Sequence, residues 1–207
     1  MSHEYEFVYF NAKLRGETTR LLFAAAGIQY KDTRIGFAEW HEKQKDTPQG
    51  SLPYLVIDGS TKVSQSMAIN RYIARIADPP MCGSSSVEEL FINEIADTAA
   101  TLIEEALKPF TVAEEKRQEV MTNFNDVVAP KLLGFLEKSI TARAGDSKNG
   151  FAVGSKLSLA DIMIFNAIEC GNLTEELSKY PGLKASTKKV AENKRIAEWL
   201  SKRPTGM

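Results

Sequence analysis

The first apolar run of the chain, Tyr5 to Phe10 (YEFVYF), is rich in aromatic and β-branched residues and predicts a strand. From Arg15 the pattern becomes RGETTRLLFAAAG, an amphipathic helix with Gly27 placed to end it as a C′ residue. Ile28 to Ile35 predicts a second extended segment, which completes a β-α-β unit. Tyr54 to Ile57 predicts a short apolar strand, Asp58-Gly59-Ser60 a turn, and Thr61 to Ser64 the returning strand of a hairpin. Met67, Ile69, Tyr72, Ile73 and Ile76 then recur near helical spacing over Ser66 to Ala77.

The order β-α-β-β-β-α, or one strand fewer, fits a thioredoxin-like sheet. Asp78 to Ser86 (DPPMCGSSS) is the most linker-like stretch. Beyond it the pattern predicts helices only: Val87 to Leu107, Val112 to Ala144, Leu159 to Ile168, and Leu183 to Leu200 as one piece or two. The expected plan is therefore α+β. A thioredoxin-like α/β domain spans 1–79, a linker 80–86, and an all-α domain 87–207.

Composition narrows the function classes. The 207 residues are 43% apolar and 26% charged, enough for a real core. With 26 basic against 27 acidic side chains, the net charge of −1 gives no global steering toward nucleic acid or an anionic membrane. The opening MSHEYEFVYF lacks the basic and apolar regions of a signal peptide, and no stretch approaches the roughly 18 apolar residues of a membrane span. Cys82 and Cys170 form no CxxC, and His3 and His41 are the only histidines. A disulfide framework, a metal site and a histidine triad are not expected, and a reducing, cytoplasmic location is.

Few residues read alone as chemistry. Ser158-Leu159-Ala160-Asp161 is a capping box before the run IMIF, so Asp161 reads as structural rather than catalytic, and losing the cap would cost about 1 kcal/mol. Pro53 can simply open a strand; as a cis-proline it would turn the Leu52 N–H and C=O toward an extended peptide. Ser66 can be an N-cap, or its hydroxyl and the free N–H groups of a helix start can receive a carboxylate. Tyr9, a strand tyrosine, reads as core.

Several separated segments together resemble the sigma class of cytosolic glutathione transferases. YFNAKLRGETTRLLFAAAGIQY resembles the opening YFN-x-RGRAE-x-x-R motif, and IDGSTKVSQSMAINRYIARIAD the IDG…QS-x-AI-x-RYLA segment. NGFAVGSKLSLADIMIF resembles the G-x-x-x-VG-x-x-x-[ST]-x-AD motif, and AEWLSKRP the terminal helix. The resemblance implies a glutathione-conjugating enzyme acting on hydrophobic electrophiles as a homodimer, with glutathione as co-substrate and no metal. By family position Tyr9 donates its hydroxyl to the thiolate and Arg15 adds positive field. Trp40 reaches the glycine end, with Gln44 where the class often has a lysine. Leu52 before Pro53 pairs with the cysteinyl backbone, and Gln65 and Ser66 hold the γ-glutamyl carboxylate. Asp97 reaches across the dimer to the partner's ligand.

The same resemblance implies two alternatives: a glutathione-dependent prostaglandin isomerase, and a non-catalytic scaffold like the S-crystallins. A thiol-disulfide redox protein is disfavoured, because no cysteine stands at the mouth of the first helix. Departures from the motifs sharpen the expectations. The RG of RGR is Lys13-Leu14, so a glycine has become bulky. Gln44 is flanked by Lys43 and Lys45. Gln49 stands where other classes place an aromatic lock residue, implying a polar dimer seam. Ala100 and Thr101 replace further aspartates, so no divalent-cation site is expected. The electrophile pocket is assigned to the helices after Val87, with Leu102, Ala106 and Lys108 as candidates.

Overall fold

The computed structural model describes residues 3–143 and 149–204. Its sheet is formed by β1 (Tyr5–Phe10), β2 (Lys31–Ile35), β3 (Tyr54–Ile57) and β4 (Thr61–Ser64), in the order β2-β1-β3-β4. β1 pairs parallel to β2 and antiparallel to β3, with Val8 opposite Thr33 and Tyr54, and β3 runs antiparallel to β4. Side chains on successive strand positions point to opposite faces, so Phe7 and Tyr9 join the main core while Val8, Ile35 and Val56 form a small cluster of their own.

α1 (Glu17–Ala26) and α3 (Ser66–Ile76) pack together and into the main core with Leu21, Leu22, Phe23, Ile69 and Ile73. Between β2 and β3 lies α2 (Trp40–Lys43), a single turn flanked by 3₁₀ turns that the sequence pattern did not predict. The second β segment is shorter than expected. Gly27 adopts φ 68°, and the N–H groups of Gly27 and Ile28 close the end of α1 on Ala24 and Phe23, so β2 starts only at Lys31.

The remaining elements are helical: α4 (Ser86–Leu107), α5 (Glu114–Asn123), α6 (Ala129–Arg143), α7 (Leu159–Cys170), α8 (Pro181–Glu192) and α9 (Lys194–Lys202). The helix expected over Val112 to Ala144 is instead α5, a π turn at Phe124–Val128, and α6; Ala144 lies outside the described residues. Pro130 lacks an N–H for an ordinary helical bond, and the widened turn falls just before it. The last helical stretch is two helices, because Asn193 leaves helical geometry and caps Arg195 and Ile196 with its side chain.

α7 is buried along most of its length and forms the centre of the helical half. The capping box sits there in full burial. Asp161 accepts from the N–H of Ala152 (2.7 Å), the N–H and hydroxyl of Ser158 (2.9 and 2.7 Å) and the hydroxyl of Ser186 (2.8 Å). Polar ties join this helix to the sheet domain: Asn166 donates to the Leu14 carbonyl and the Thr18 hydroxyl, at 2.9 and 2.8 Å. No described helix is long and apolar enough to cross a membrane.

Candidate functional site

The loop between β1 and α1 is anchored by a buried arginine. Arg20 is fully buried and donates to the carbonyls of Ala12 (2.7 Å) and Phe10 (3.2 Å), on either side of Asn11. Its charge is compensated by Glu17 and Asp32, at 3.3 and 3.1 Å. The loop is thus pinned from below by one guanidinium whose three nitrogens each have a partner.

Tyr9 stands at the root of this loop. Its ring is only 3% exposed and packs beside Phe7 and Phe10. Gly16 lies flat against it: a Cβ there would sit 2.6 Å from the ring Cγ. Burial pushes the hydroxyl up to about 12, against the fields of Arg15 and Arg20 and a hydrogen bond from the Arg15 backbone. At neutral pH Tyr9 is therefore a protonated donor and no general base.

Two cavities flank the loop. One, of about 460 Å³ and mainly apolar, is lined by Lys13, Leu14, Phe37, Phe110, Asn166, Glu169 and Cys170. Tyr9 is not part of that lining. The other is a small cleft where Arg15, Thr18, Ser66, Met67 and Glu104 meet. The structure therefore brings Arg15 and Ser66 together. It does not put Leu102, Ala106 or Lys108 in the apolar cavity. Leu102 and Ala106 are buried in the core, and Lys108 pairs with Glu105. Phe37 and Phe110, 55% and 68% exposed, form the wall that the sequence argument missed.

Ser66 is the first residue of α3, and its N-cap is Gln65, not Ser66 itself. Gln65 holds φ 79° and ψ 105°, a conformation that costs a non-glycine residue about 1–3 kcal/mol. The first helical bond is that of the Ile69 N–H to the Gln65 carbonyl, and among the described residues the N–H groups of Ser66, Met67 and Ala68 have no partner and are open to an anion. The Gln65 amide donates to Gln49 (2.8 Å), which ties Gln49 to the start of α3.

The Leu52-Pro53 bond is cis, and among the described residues no hydrogen bond engages the Leu52 amide or carbonyl. Gln44 donates to the Gly50 carbonyl at 2.9 Å and so braces the loop leading to Leu52. Trp40 meets Phe10 edge-on at 5.5 Å, and Phe10 stacks on Phe37 at 4.6 Å. Asp97 stands apart from these residues on α4, paired with Arg71 of α3, and is 57% exposed.

Comparison with known proteins matches both halves of the chain. Models for the "Glutathione S-transferase, N-terminal domain" and the "Glutathione S-transferase, C-terminal domain" match residues 6–75 and 102–203. S-crystallin SL11 of Nototodarus sloanii is 33% identical over 96% of both chains. Hematopoietic prostaglandin D synthase of Gallus gallus is 34% identical over 97% of this chain and 96% of that protein. The solved structure of monomeric Na-GST-3, a glutathione S-transferase from Necator americanus, aligns with TM-score 0.81 and 30% identity, covering 97% of this chain and 98% of that one.

Proposed function

Because the chain belongs to the glutathione S-transferase family, we propose that it conjugates reduced glutathione to small hydrophobic electrophiles through a thiolate stabilised by Tyr9. The observation that supports this reading is a protonated, buried tyrosine hydroxyl at the root of a pinned loop whose Lys13 and Leu14 wall an apolar cavity and whose Arg15 meets Ser66 at the open start of α3.

The γ-glutamyl carboxylate is assigned to Ser66, Gln65 and the open N–H groups of α3, with Arg15 alongside. The cysteinyl backbone is assigned to the unengaged amide and carbonyl of Leu52, and the glycine end to Trp40. Gln44 is committed to Gly50, which leaves Lys45 as the neighbouring cation for the glycyl carboxylate. In this reading Asp97 of one protomer reaches the ligand bound by its partner in a cytoplasmic homodimer. The electrophile occupies the cavity walled by Leu14, Phe37 and Phe110.

The chemistry needs no base. A thiol with pKa about 8.5 is only a few per cent ionised at neutral pH. Lowering that value by two units requires about 2.7 kcal/mol of preference for the anion. A hydroxyl donated to the sulfur supplies about 1.5–3 kcal/mol of it, and the Arg15 field adds to this. The thiol proton leaves to solvent, and the sulfur lone pair forms a bond to the electrophilic carbon. A leaving group then departs with its electron pair, or the adduct takes a proton from solvent.

The test is the glutathione-dependent rate with chlorodinitrobenzene, for wild type and Tyr9→Phe across pH. Turnover in the variant should fall by one to two orders of magnitude, on the order of what losing a 1.5–3 kcal/mol bond produces, and its profile should move to higher pH. Unchanged turnover removes Tyr9 from the mechanism. Glutathione binding without conjugation would move the reading to an isomerase or an S-crystallin-like scaffold.

A further inference from the structure

The C-terminal helix reaches back to the loop that follows Tyr9. Trp199 on α9 donates its indole N–H to Glu17 at 2.8 Å, and Arg203, just past α9, donates to the same oxygen at 3.1 Å. Arg203 also grips Glu169 through two bonds, at 2.9 and 2.6 Å. The Glu17, Arg203 and Glu169 side chains are 1%, 15% and 26% exposed. Glu17 directly follows Gly16, the seat of the Tyr9 ring, and Glu169 lines the apolar cavity beside Cys170. One guanidinium therefore joins the first residue of α1, directly after the loop, to α7, whose Glu169 lines the cavity. Largely buried, bidentate pairing resists solvent far better than a surface ion pair does.

The charged and titratable groups around this point come from several packed elements. They are Tyr9 on β1, Lys13 and Arg15 on the loop, Glu17 and Arg20 on α1, Asp32 and Arg34 on β2, Glu104 on α4, Glu169 and Cys170 on α7, and Arg203 beyond α9. After burial itself, Glu169 and then Glu17 oppose ionisation of Cys170, while Lys13 and Arg15 favour it. An anion formed beside Cys170 feels the same two carboxylates, and Arg203 is bonded to both.

We propose that Arg203, seconded by Trp199, is a positioning residue for the glutathione chemistry: it holds the Phe10–Glu17 segment against α7 and neutralises Glu17 and Glu169 beside the apolar cavity. This rests on the glutathione reading, so the experiment has one arm that needs no ligand. Hydrogen exchange of the Phe10–Glu17 amides is measured on the free protein for wild type, Arg203→Gln, Arg203→Lys and Trp199→Phe. In parallel the ultraviolet thiolate absorbance of bound glutathione is titrated, and kcat and KM are separated.

Arg203→Gln should speed exchange in Phe10–Glu17 and raise the bound-thiol pKa by about half a unit or more. It should lower kcat below neutral pH while leaving the glutathione KM near wild type. Arg203→Lys keeps the charge without the planar fork, so it should restore the thiol pKa more fully than the exchange protection. Should Arg203→Gln fail to fold, Trp199→Phe removes one bond and no charge, and must speed exchange with the thiol pKa unmoved. Wild-type exchange in the folded variants overturns the proposal, as does an unshifted thiol pKa in Arg203→Gln. A wild-type protein that forms no bound thiolate defeats the glutathione reading and with it the charge role, while the exchange arm still decides the strap.

Discussion

Gly16→Ala tests whether the seat of Tyr9 is as tight as the geometry makes it. The new Cβ would lie 2.6 Å from the ring Cγ and 2.8 Å from Cε1, and nearer still to Cδ1. Favourable carbon contacts begin near 3.5 Å, so ring and loop must separate by about 1 Å. The ring has little room to yield, being 3% exposed and flanked by Phe7 and Phe10. A misplacement of about 1 Å costs on the order of 10²-fold in rate, and the overpacking costs about 1–3 kcal/mol of stability. At roughly 2–4 °C per kcal/mol for a chain of this size, Tm should fall by about 2–12 °C. The assay is kcat/KM with chlorodinitrobenzene, beside calorimetric melting and glutathione titration. Glutathione affinity should change little, because Ser66 and Gln65 are untouched. The double variant Gly16→Ala/Tyr9→Phe should be no slower than Tyr9→Phe, since both act through one hydroxyl. Wild-type kcat and Tm for Gly16→Ala would refute the reasoning, and so would additive losses in the double variant.

Three further outcomes follow from other parts of the structure. The Tyr9 hydroxyl is raised from 10.0 to about 12, so the native state keeps this proton longer than the unfolded chain. The stability it contributes is complete below the ordinary tyrosine value and is lost as pH rises toward 12. Urea melts between pH 10 and 12 should show a shallower decline for Tyr9→Phe, and parallel declines would contradict the shift. Asp97→Ala should raise the glutathione KM and leave the proposed homodimer intact. Its exposed pair with Arg71 makes the stability change smaller than about 1 kcal/mol, and a wild-type KM would remove Asp97 from the site. Burial pushes the Cys170 thiol up to about 12. Its alkylation by iodoacetamide at neutral pH, mapped by peptide mass, should lag the unfolded chain by about 10³-fold, and equal rates would show an open, ionised thiol.

What was legible in the sequence was whatever local pattern controls. The strands announce themselves by aromatic and β-branched runs, and the end of α1 by Gly27, which adopts the left-handed geometry its position implies. The short helix α2 carries little apolar periodicity, and its Trp40 packs edge-on against the Phe10 ring from a distant strand. The break at Phe124–Val128 belongs to Pro130, whose effect falls upstream of the proline itself. The family resemblance offered Leu102, Ala106 and Lys108 as pocket candidates, but Leu102 and Ala106 meet the core and Lys108 pairs with Glu105. The ties of Glu17 to Trp199 and Arg203 join positions 182 and 186 residues apart, where no spacing rule operates.

The departure at Lys13-Leu14 becomes intelligible once the loop is seen whole. In the RGRAE pattern glycine precedes the arginine and alanine follows it; here Leu14 precedes Arg15 and Gly16 follows. Leu14 nevertheless holds φ 40°, the left-handed region where glycine is at ease and other residues pay about 1–2 kcal/mol. That cost is offset by what Leu14 contacts: its carbonyl accepts from Asn166, and its side chain packs on the core and walls the apolar cavity. The missing Cβ has moved two residues on, to the place where the Tyr9 ring leaves no room for one. The loop thus keeps both the backbone twist and the close approach, but redistributes them. The exchange changes the wall of the apolar cavity, and it leaves Tyr9 and Arg15 in place for the proposed thiolate and the open end of α3 for the proposed γ-glutamyl carboxylate.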